Sequence, residues 1–281
     1  MRTQRGRPKL GQHFLSSADY CRRIAQSLLL AADDLVIEIG PGRGALTKLL
    51  AGRVERLAAI ELDATLAGSL RQTFENVPSV EIIEGDILKT DIAQICRCHK
   101  KDSCIVFGNL PYYITSPILH HLFEARARIQ RMALLVQKEV AERITAGPGS
   151  RDYGYLSVFV QIHSSPTIAF DIPPGAFSPP PKVYSALVDF QMVPRFPAWN
   201  AGKNRDFLAF VRTCFAQKRK NLLNNLAIYA RPAVGHALES MTLSARVRAE
   251  QLSLDQFGAL FDLLAQPSAT RQLKEGSEMA E

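Results

Sequence analysis

The chain has 281 residues, 34 Lys and Arg against 27 Asp and Glu, a formal charge of +7, 47% hydrophobic and 22% charged residues. These values exclude a mostly disordered, collagen-like or coiled-coil chain and leave room for one large domain or two modest ones. The longest apolar runs, such as 28–32, fall far short of the ~18–20 residues that cross a bilayer, so no membrane partner is expected.

Residues 1–9 carry Arg2, Arg5, Arg7 and Lys9 and no acid. Leu10-Gly11-Gln12-His13 follows, not the apolar run of a secretory signal. The start is Arg-rich and acid-poor, as a mitochondrial presequence is. A motif that begins at Leu10 leaves little room for one, and a cytoplasmic protein is expected. From 35–39 onward, short apolar β-rich runs alternate with helical stretches. Strands are predicted at 35–39, 57–62, 80–83, 104–107 and 132–136, and helices at 45–52, 64–75, 116–126 and 138–145. That alternation predicts βαβ units and a parallel sheet in an α/β fold. Two further strands are predicted at 157–164 and 186–193. No long helical stretch separates them, which predicts an antiparallel end to the sheet.

Pro and Gly punctuate 194–202, which reads as a linker. Beyond it Phe207, Phe210, Val211, Cys214 and Phe215 recur at helical spacing. So do Leu222, Leu223, Leu226 and Tyr229, and later Phe257, Leu260, Phe261 and Leu264. The expected organisation is a first domain over 1–195 with a basic arm at 1–9, a small all-helical domain over 203–267, and a frayed tail at 268–281.

Glu38-Ile-Gly-Pro-Gly-Arg-Gly-Ala-Leu-Thr47 takes a strand into a glycine-rich turn and then a helix. Gly40, Gly42 and Ala45 match the dinucleotide pattern G-x-G-x-x-G/A. The loop alone leaves open a nicotinamide cofactor, S-adenosylmethionine, or a tight turn with no ligand. Glu61 ends the second strand, 21 positions after Gly40, where an acid can hold both hydroxyls of a ribose. Asp86 ends the third strand, where a carboxylate can accept from an adenine amine or simply cap a turn. In open α/β sheets ligands bind outside the carboxyl ends of the strands. Gly40, Glu61 and Asp86 share that edge and outline an adenosine-shaped site.

Asn109-Leu110-Pro111-Tyr112-Tyr113-Ile114 follows the fourth strand on the same edge. Asn109 offers a side-chain carbonyl and Leu110 a backbone carbonyl, two acceptors for the two hydrogens of an amine. Tyr112 offers a face on which an extruded base can stack. An Asn-Pro-type turn with core aromatics would read the same way in isolation. Cys96, Cys98, His99 and Cys104 crowd together, but Cys-x-Cys lacks metal-knuckle spacing; free thiols and no metal are expected. The odd count of five cysteines is no disulfide framework.

Taken in order, these motifs resemble those of the rRNA adenine N6,N6-dimethyltransferases, over roughly residues 8–265. That family includes the 16S rRNA kasugamycin-sensitivity enzymes, the eukaryotic rRNA dimethyltransferases and the erythromycin-resistance methyltransferases. The resemblance is carried by Leu10-Gly-Gln-His-Phe-Leu15, the glycine loop, Ile60-Glu-Leu-Asp63, Asn109–Ile114 and Pro173-Pro-Gly-Ala-Phe-Ser-Pro-Pro-Pro-Lys-Val183. It implies a Rossmann-like S-adenosylmethionine-dependent methyltransferase domain with a mostly parallel seven-stranded sheet, plus the helical domain.

His13, Leu15, Gly40, Gly42, Glu61, Asp86 and Asn109 would bind S-adenosylmethionine. Asn109 and Leu110 would hold the target N6, with Tyr112 and Phe177 on either side of the adenine. Family members commonly carry Asn where this chain has Tyr113, and Asn where it has His13. The implied reaction is dimethylation of two adjacent adenines in the 3′-terminal hairpin of small-subunit 16S rRNA, by a monomer and without a metal.

Basic residues fit an RNA partner. Over 195–235 there are eight, Lys218, Arg219 and Lys220 among them, against the single acid Asp206. The alternatives are a large-subunit (23S) rRNA methyltransferase of the erythromycin-resistance type, a non-catalytic assembly or transcription factor of the same fold, and a nicotinamide-dependent dehydrogenase. The last would explain the glycine loop and Glu61 but not Asn109–Tyr112.

Overall fold

The central strands carry apolar side chains on both faces, so they form where both sides of a sheet are covered. In the computed structural model, which describes residues 13–265, all five residues of β2 (Leu35–Ile39) are buried. Around it lie β3 (Arg56–Glu61), β4 (Val80–Glu84), β5 (Cys104–Asn109) and β6 (Ile129–Gln137), all in parallel register. The seven-stranded sheet is completed by β7 (Ser165–Ile172) and β9 (Ser185–Gln191), in the order β4-β3-β2-β5-β6-β9-β7. β9 runs antiparallel to β6. A separate two-stranded ribbon pairs β1 (Phe14–Leu15) with β8 (Phe177–Ser178). α1 (Ala18–Ser27) precedes the sheet, and the crossovers are α2 (Thr47–Ala51), α3 (Ala64–Thr73), α4 (Ile92–Cys98) and α5 (Thr115–Glu124). Asp63 caps α3 by accepting from the amides of Thr65 and Leu66, and Asp91 caps α4.

The remaining helices are α6 (Lys138–Thr145), α7 (Tyr155–Gln161), α8 (Ala201–Cys214), α9 (Leu222–Asn225), α10 (Arg231–Ser240) and α11 (Leu254–Leu264). The chain divides into two compact units. One holds residues up to 141 together with 166–192; the other holds 142–165 together with 193 onward. The break expected near 195 is therefore discontinuous, because 142–165 joins the helical unit. The core of that unit gathers Tyr153, Val158 and Ile162 with Phe207, Phe257 and Leu260.

Three expectations are corrected. Residues 157–164 are not a strand. They lie largely in α7, where Ser157, Val158, Phe159 and Val160 are all buried. A short apolar run buried on all sides has no helical stripe and imitates a strand. The strand lies instead at β7, an edge strand that tolerates Pro166. Two helices were not anticipated. α1 buries Cys21, Ile24, Ala25 and the following Leu28, and α4 buries Ile92, Ile95 and Cys96, both at helical spacing. Finally, 194–202 is more than a linker. Phe196 stacks on Trp199 with ring centroids 4.1 Å apart, and Trp199 lies 5.1 Å from the fully buried Phe207. The basic arm 1–9, residues 10–12 of the first motif and the tail 268–281 lie outside the described residues.

Trp199→Ala is expected to destabilise the helical unit by about 2–3 kcal/mol, read from denaturant unfolding followed by helical circular dichroism. A change below ~0.5 kcal/mol would restore the linker reading.

Candidate active site

The strand order reverses between β2 and β5, and a crevice opens there at the carboxyl ends of the strands. The glycine loop follows β2, and Asn109 ends β5. Gly40 and Gly42 hold φ of +67° and +59°, a left-handed conformation that favours glycine. A Cβ on Gly40 would stand 3.4 Å from the Asn109 carbonyl oxygen, and one on Gly42 2.7 Å from Cδ1 of Phe14. The loop thus lies close against the end of β5 and under the Phe14 ring. The resulting cleft has a volume of about 860 Å³, open solvent at its mouth included. His13, Gly40, Gly42, Glu61, Asp86, Asn109, Leu110 and Tyr112 all line it.

Glu61 is buried at the end of β3. Its Oε2 accepts from the Gly42 amide and its Oε1 from the Asp63 amide, each at 3.0 Å. Burial raises its pKa, and these backbone N–H groups oppose the rise. Each carboxylate oxygen keeps a further lone pair for a hydroxyl donor in the cleft. Asp86 Oδ1 accepts from the Leu88 amide at 3.0 Å and caps the turn over Ile87–Lys89. The capping and ligand readings of Asp86 are compatible, because one carboxylate oxygen suffices for the cap.

Asn109 Nδ2 donates to the His13 carbonyl at 3.0 Å. A carbonyl accepts only a donor, so this contact fixes which end of the amide faces His13 and leaves Oδ1 for a donor. The Leu110 amide donates to the Leu135 carbonyl at 3.1 Å, while the Leu110 carbonyl accepts from no group among the described residues. The site therefore has two acceptors on adjacent residues. Beside them the Tyr112 hydroxyl pairs with Ser185 Oγ at 2.6 Å, and the Tyr112 ring stacks on that of His13 at 5.9 Å. His13 Nδ1 donates in turn to the Pro179 carbonyl at 2.8 Å.

Two expected site residues are not brought to the cleft. Phe177 is buried in a cluster with Ile172, Ala176 and Leu187, and Leu15 packs against that cluster. Their backbones pair in the β1–β8 ribbon. Phe177 is thus a core ring here, and the ring stacked on Tyr112 belongs to His13. Lys218, Arg219 and Lys220 belong to the helical unit, where all three are exposed just before α9. Cys96 and Cys104 are buried on the inner faces of α4 and β5, whereas Cys98 is exposed.

Sequence reasoning missed Ser185, 73 positions from Tyr112, for which no local signal exists. It also missed Glu38. That carboxyl is completely buried beneath the glycine loop, and its Oε2 and Thr47 Oγ1 lack hydrogen-bond partners among the described residues. Desolvation pushes its pKa up to about 7, opposed by the neighbouring Thr47 hydroxyl and reinforced by the Glu61 charge. An acid inside an otherwise apolar strand is the signal that could have found it.

A mostly parallel sheet of this order with β9 antiparallel, a glycine loop at its switch point, an acid ending the next strand and Asn109–Tyr112 following β5, defines a Rossmann-like methyltransferase fold. Within that class the chain belongs to the ribosomal RNA adenine dimethylase family, whose model matches residues 3–266. A relative from Acidobacterium capsulatum, named ribosomal RNA small subunit methyltransferase A, is 49% identical, with 92% of this chain and 91% of that protein covered. A relative of the same name from Koribacter versatilis is 42% identical, covering 91% and 93%. Among solved structures, the dimethyladenosine transferase from Plasmodium falciparum is 25% identical with a TM-score of 0.74, covering 88% of this chain and 96% of that one. The 23S rRNA methyltransferase ErmE is 27% identical with a TM-score of 0.71, covering 90% and 100%.

Glu38 sets a pH dependence. Between the ordinary carboxyl value of 4.5 and about 7, the native chain keeps a proton that the unfolded chain releases. Its contribution to stability therefore falls as pH rises through that window. Relative to Glu38→Gln, the wild type is expected to lose about 3 kcal/mol between pH 4 and 8. A stability difference that stays constant with pH would contradict the buried protonated carboxyl.

Proposed function

We propose that the protein transfers methyl groups from S-adenosylmethionine to N6 of two adjacent adenines near the 3′ end of small-subunit 16S rRNA, dimethylating each during subunit assembly. One observation carries the reading: the Asn109 amide is oriented by the His13 carbonyl, with its oxygen left to pair with an amine beside the unpaired Leu110 carbonyl. The two relatives named as small-subunit methyltransferases favour that subunit over the large one. The proposed setting is the bacterial cytoplasm and the acting species a monomer. Among the described residues no helix is long and apolar enough to cross a membrane.

The cleft fits S-adenosylmethionine. Glu61 would hold the ribose hydroxyls, Asp86 the adenine amine, and the Gly40–Gly42 backbone would lie against the cofactor beneath His13. S-adenosylmethionine, when bound, supplies a methyl group already activated by its sulfonium. The chain then has to position the amine rather than deprotonate it in advance. Asn109 Oδ1 and Leu110 O would accept the two N6 hydrogens and turn the nitrogen lone pair toward the methyl donor. The Tyr112 ring, held by Ser185 and His13, would stack on the base and favour the positive charge that grows on N6. As the C–N bond forms and the methyl–sulfur bond breaks, S-adenosylhomocysteine would be left, and the N6 proton, acidic only then, would leave to water.

RNA phosphates would meet the helical unit at Lys218, Arg219 and Lys220. Of the other cations in 195–235, Arg195 pairs with Asp255 and Lys203 Nζ lies 2.8 Å from Asp262, so those charges are already answered. Lys218 Nζ donates to the Arg151 carbonyl at 2.8 Å and keeps its charge for a phosphate.

Labelled S-adenosylmethionine with undermethylated ribosomal subunits tests the reading. N6,N6-dimethyladenosine is expected in small-subunit rRNA alone; label in the large subunit, or tight binding with no label, would overturn it. Asn109→Ala should slow transfer by about 10²–10³-fold with subunit affinity largely retained; normal turnover would remove its assigned role. Replacing Lys218, Arg219 and Lys220 by Gln should reduce the slope of log affinity against log salt by about 2–3. An unchanged slope would place the phosphate contacts elsewhere.

A further inference from the structure

The loop after β5 presents two aromatic rings, and only one has a structural partner. Tyr112 is half-buried, hydrogen-bonded to Ser185 and stacked on His13. Tyr113 also lines the cleft, yet it is 63% exposed. No hydrogen bond or ring contact holds its side chain among the described residues. The turn over Tyr112–Ile114 is a 3₁₀ turn, in which successive side chains diverge by about 120°. The Tyr113 ring therefore leaves the turn in a different direction from Tyr112, toward solvent at the mouth of the cleft. Scattered exposed apolar residues are ordinary. A large aromatic at the rim of a nucleoside-sized cleft is a different matter, because a base that enters the cleft brings its neighbour to that rim through the phosphodiester chain.

We propose that Tyr113 is a second base-stacking residue, which receives the nucleobase next to the target adenine while the target lies against Tyr112. This rests on the rRNA adenine reading above and deepens it by naming what the rim recognises. Stacking on an aromatic ring tolerates any base but strengthens with ring area, so a purine neighbour is held better than a pyrimidine. Two adjacent adenines would then each serve as the anchor for the other: while one occupies the cleft, its neighbour stacks on Tyr113. The ring contributes substrate binding and register, and it supplies no group to the chemical step.

The test uses the full chain, S-adenosylmethionine and undermethylated small ribosomal subunits. Wild-type dimethylation in the same assay checks the parent reading independently; if it is absent, that reading fails before Tyr113 is examined. Tyr113→Ala is expected to raise the KM for subunits by roughly 10-fold, with kcat changed far less. Tyr113→Phe should restore the wild-type KM, because the ring and not the hydroxyl does the stacking. S-adenosylhomocysteine affinity, measured by calorimetry, should be the same in all three proteins. On subunits whose neighbouring adenine is replaced by uracil, the Tyr113→Ala effect should shrink by several-fold. An unchanged KM in Tyr113→Ala, failure of Phe to restore it, weakened S-adenosylhomocysteine binding, or an equal effect on both subunits would each overturn the proposal.

Discussion

The hydrogen bond from Asn109 Nδ2 to the His13 carbonyl decides what the cleft can recognise. An asparagine amide is ambivalent: one end donates and the other accepts. With the donor end committed to His13, the end left over is an acceptor, and it stands beside the unpaired Leu110 carbonyl. Two adjacent acceptors favour an amine, and either one suffices for the single hydrogen left after a first methylation. Reversing the amide would set carbonyl against carbonyl at His13, so the polarity of the site is held by a backbone group 96 residues away in the chain.

That backbone group is itself held. The amides of Ser16 and Ser17 donate to the Ala176 carbonyl, Phe14 and Leu15 pair with Ser178 and Phe177, and the His13 ring donates to the Pro179 carbonyl. Ser185, at the start of β9, anchors Tyr112 from the same side. The segment before α1, which lines the cleft at His13 and Phe14, is thus held in place by residues 176–179. The Phe177 backbone pairs with Leu15 in the β1–β8 ribbon, and its ring is buried in the core.

Much of this was legible in the chain. The alternation of β-rich and helical runs located the five parallel strands, since each is a short apolar run bounded by turn residues, and all but β4 are largely buried. The glycine loop, Glu61, Asp86 and Asn109 could be assigned to one edge because the carboxyl ends of parallel strands converge there. The failures have physical causes. In α7 burial on all sides erased the helical stripe that 157–164 would otherwise display. The discontinuous boundary at 142–165 depends on which core Tyr153 and Val158 join, a long-range choice without local mark. The Tyr112–Ser185 pair has no local mark either. Phe177 was misplaced because a motif gives the identity of a residue but not the direction of its side chain. Trp199 was missed as well, although a large aromatic amid Pro and Gly is a signal that such a segment packs against a core.

Recognition in the cleft turns on the direction of the Asn109 amide. A crystal structure of the full chain with S-adenosylhomocysteine and adenosine tests it directly. The expected result places the adenosine N6 within hydrogen-bond distance of both Asn109 Oδ1 and Leu110 O, with the base against Tyr112 and Nδ2 still on the His13 carbonyl. An adenosine N6 that meets neither oxygen, or an Asn109 amide turned so that its nitrogen faces the base, would contradict the account.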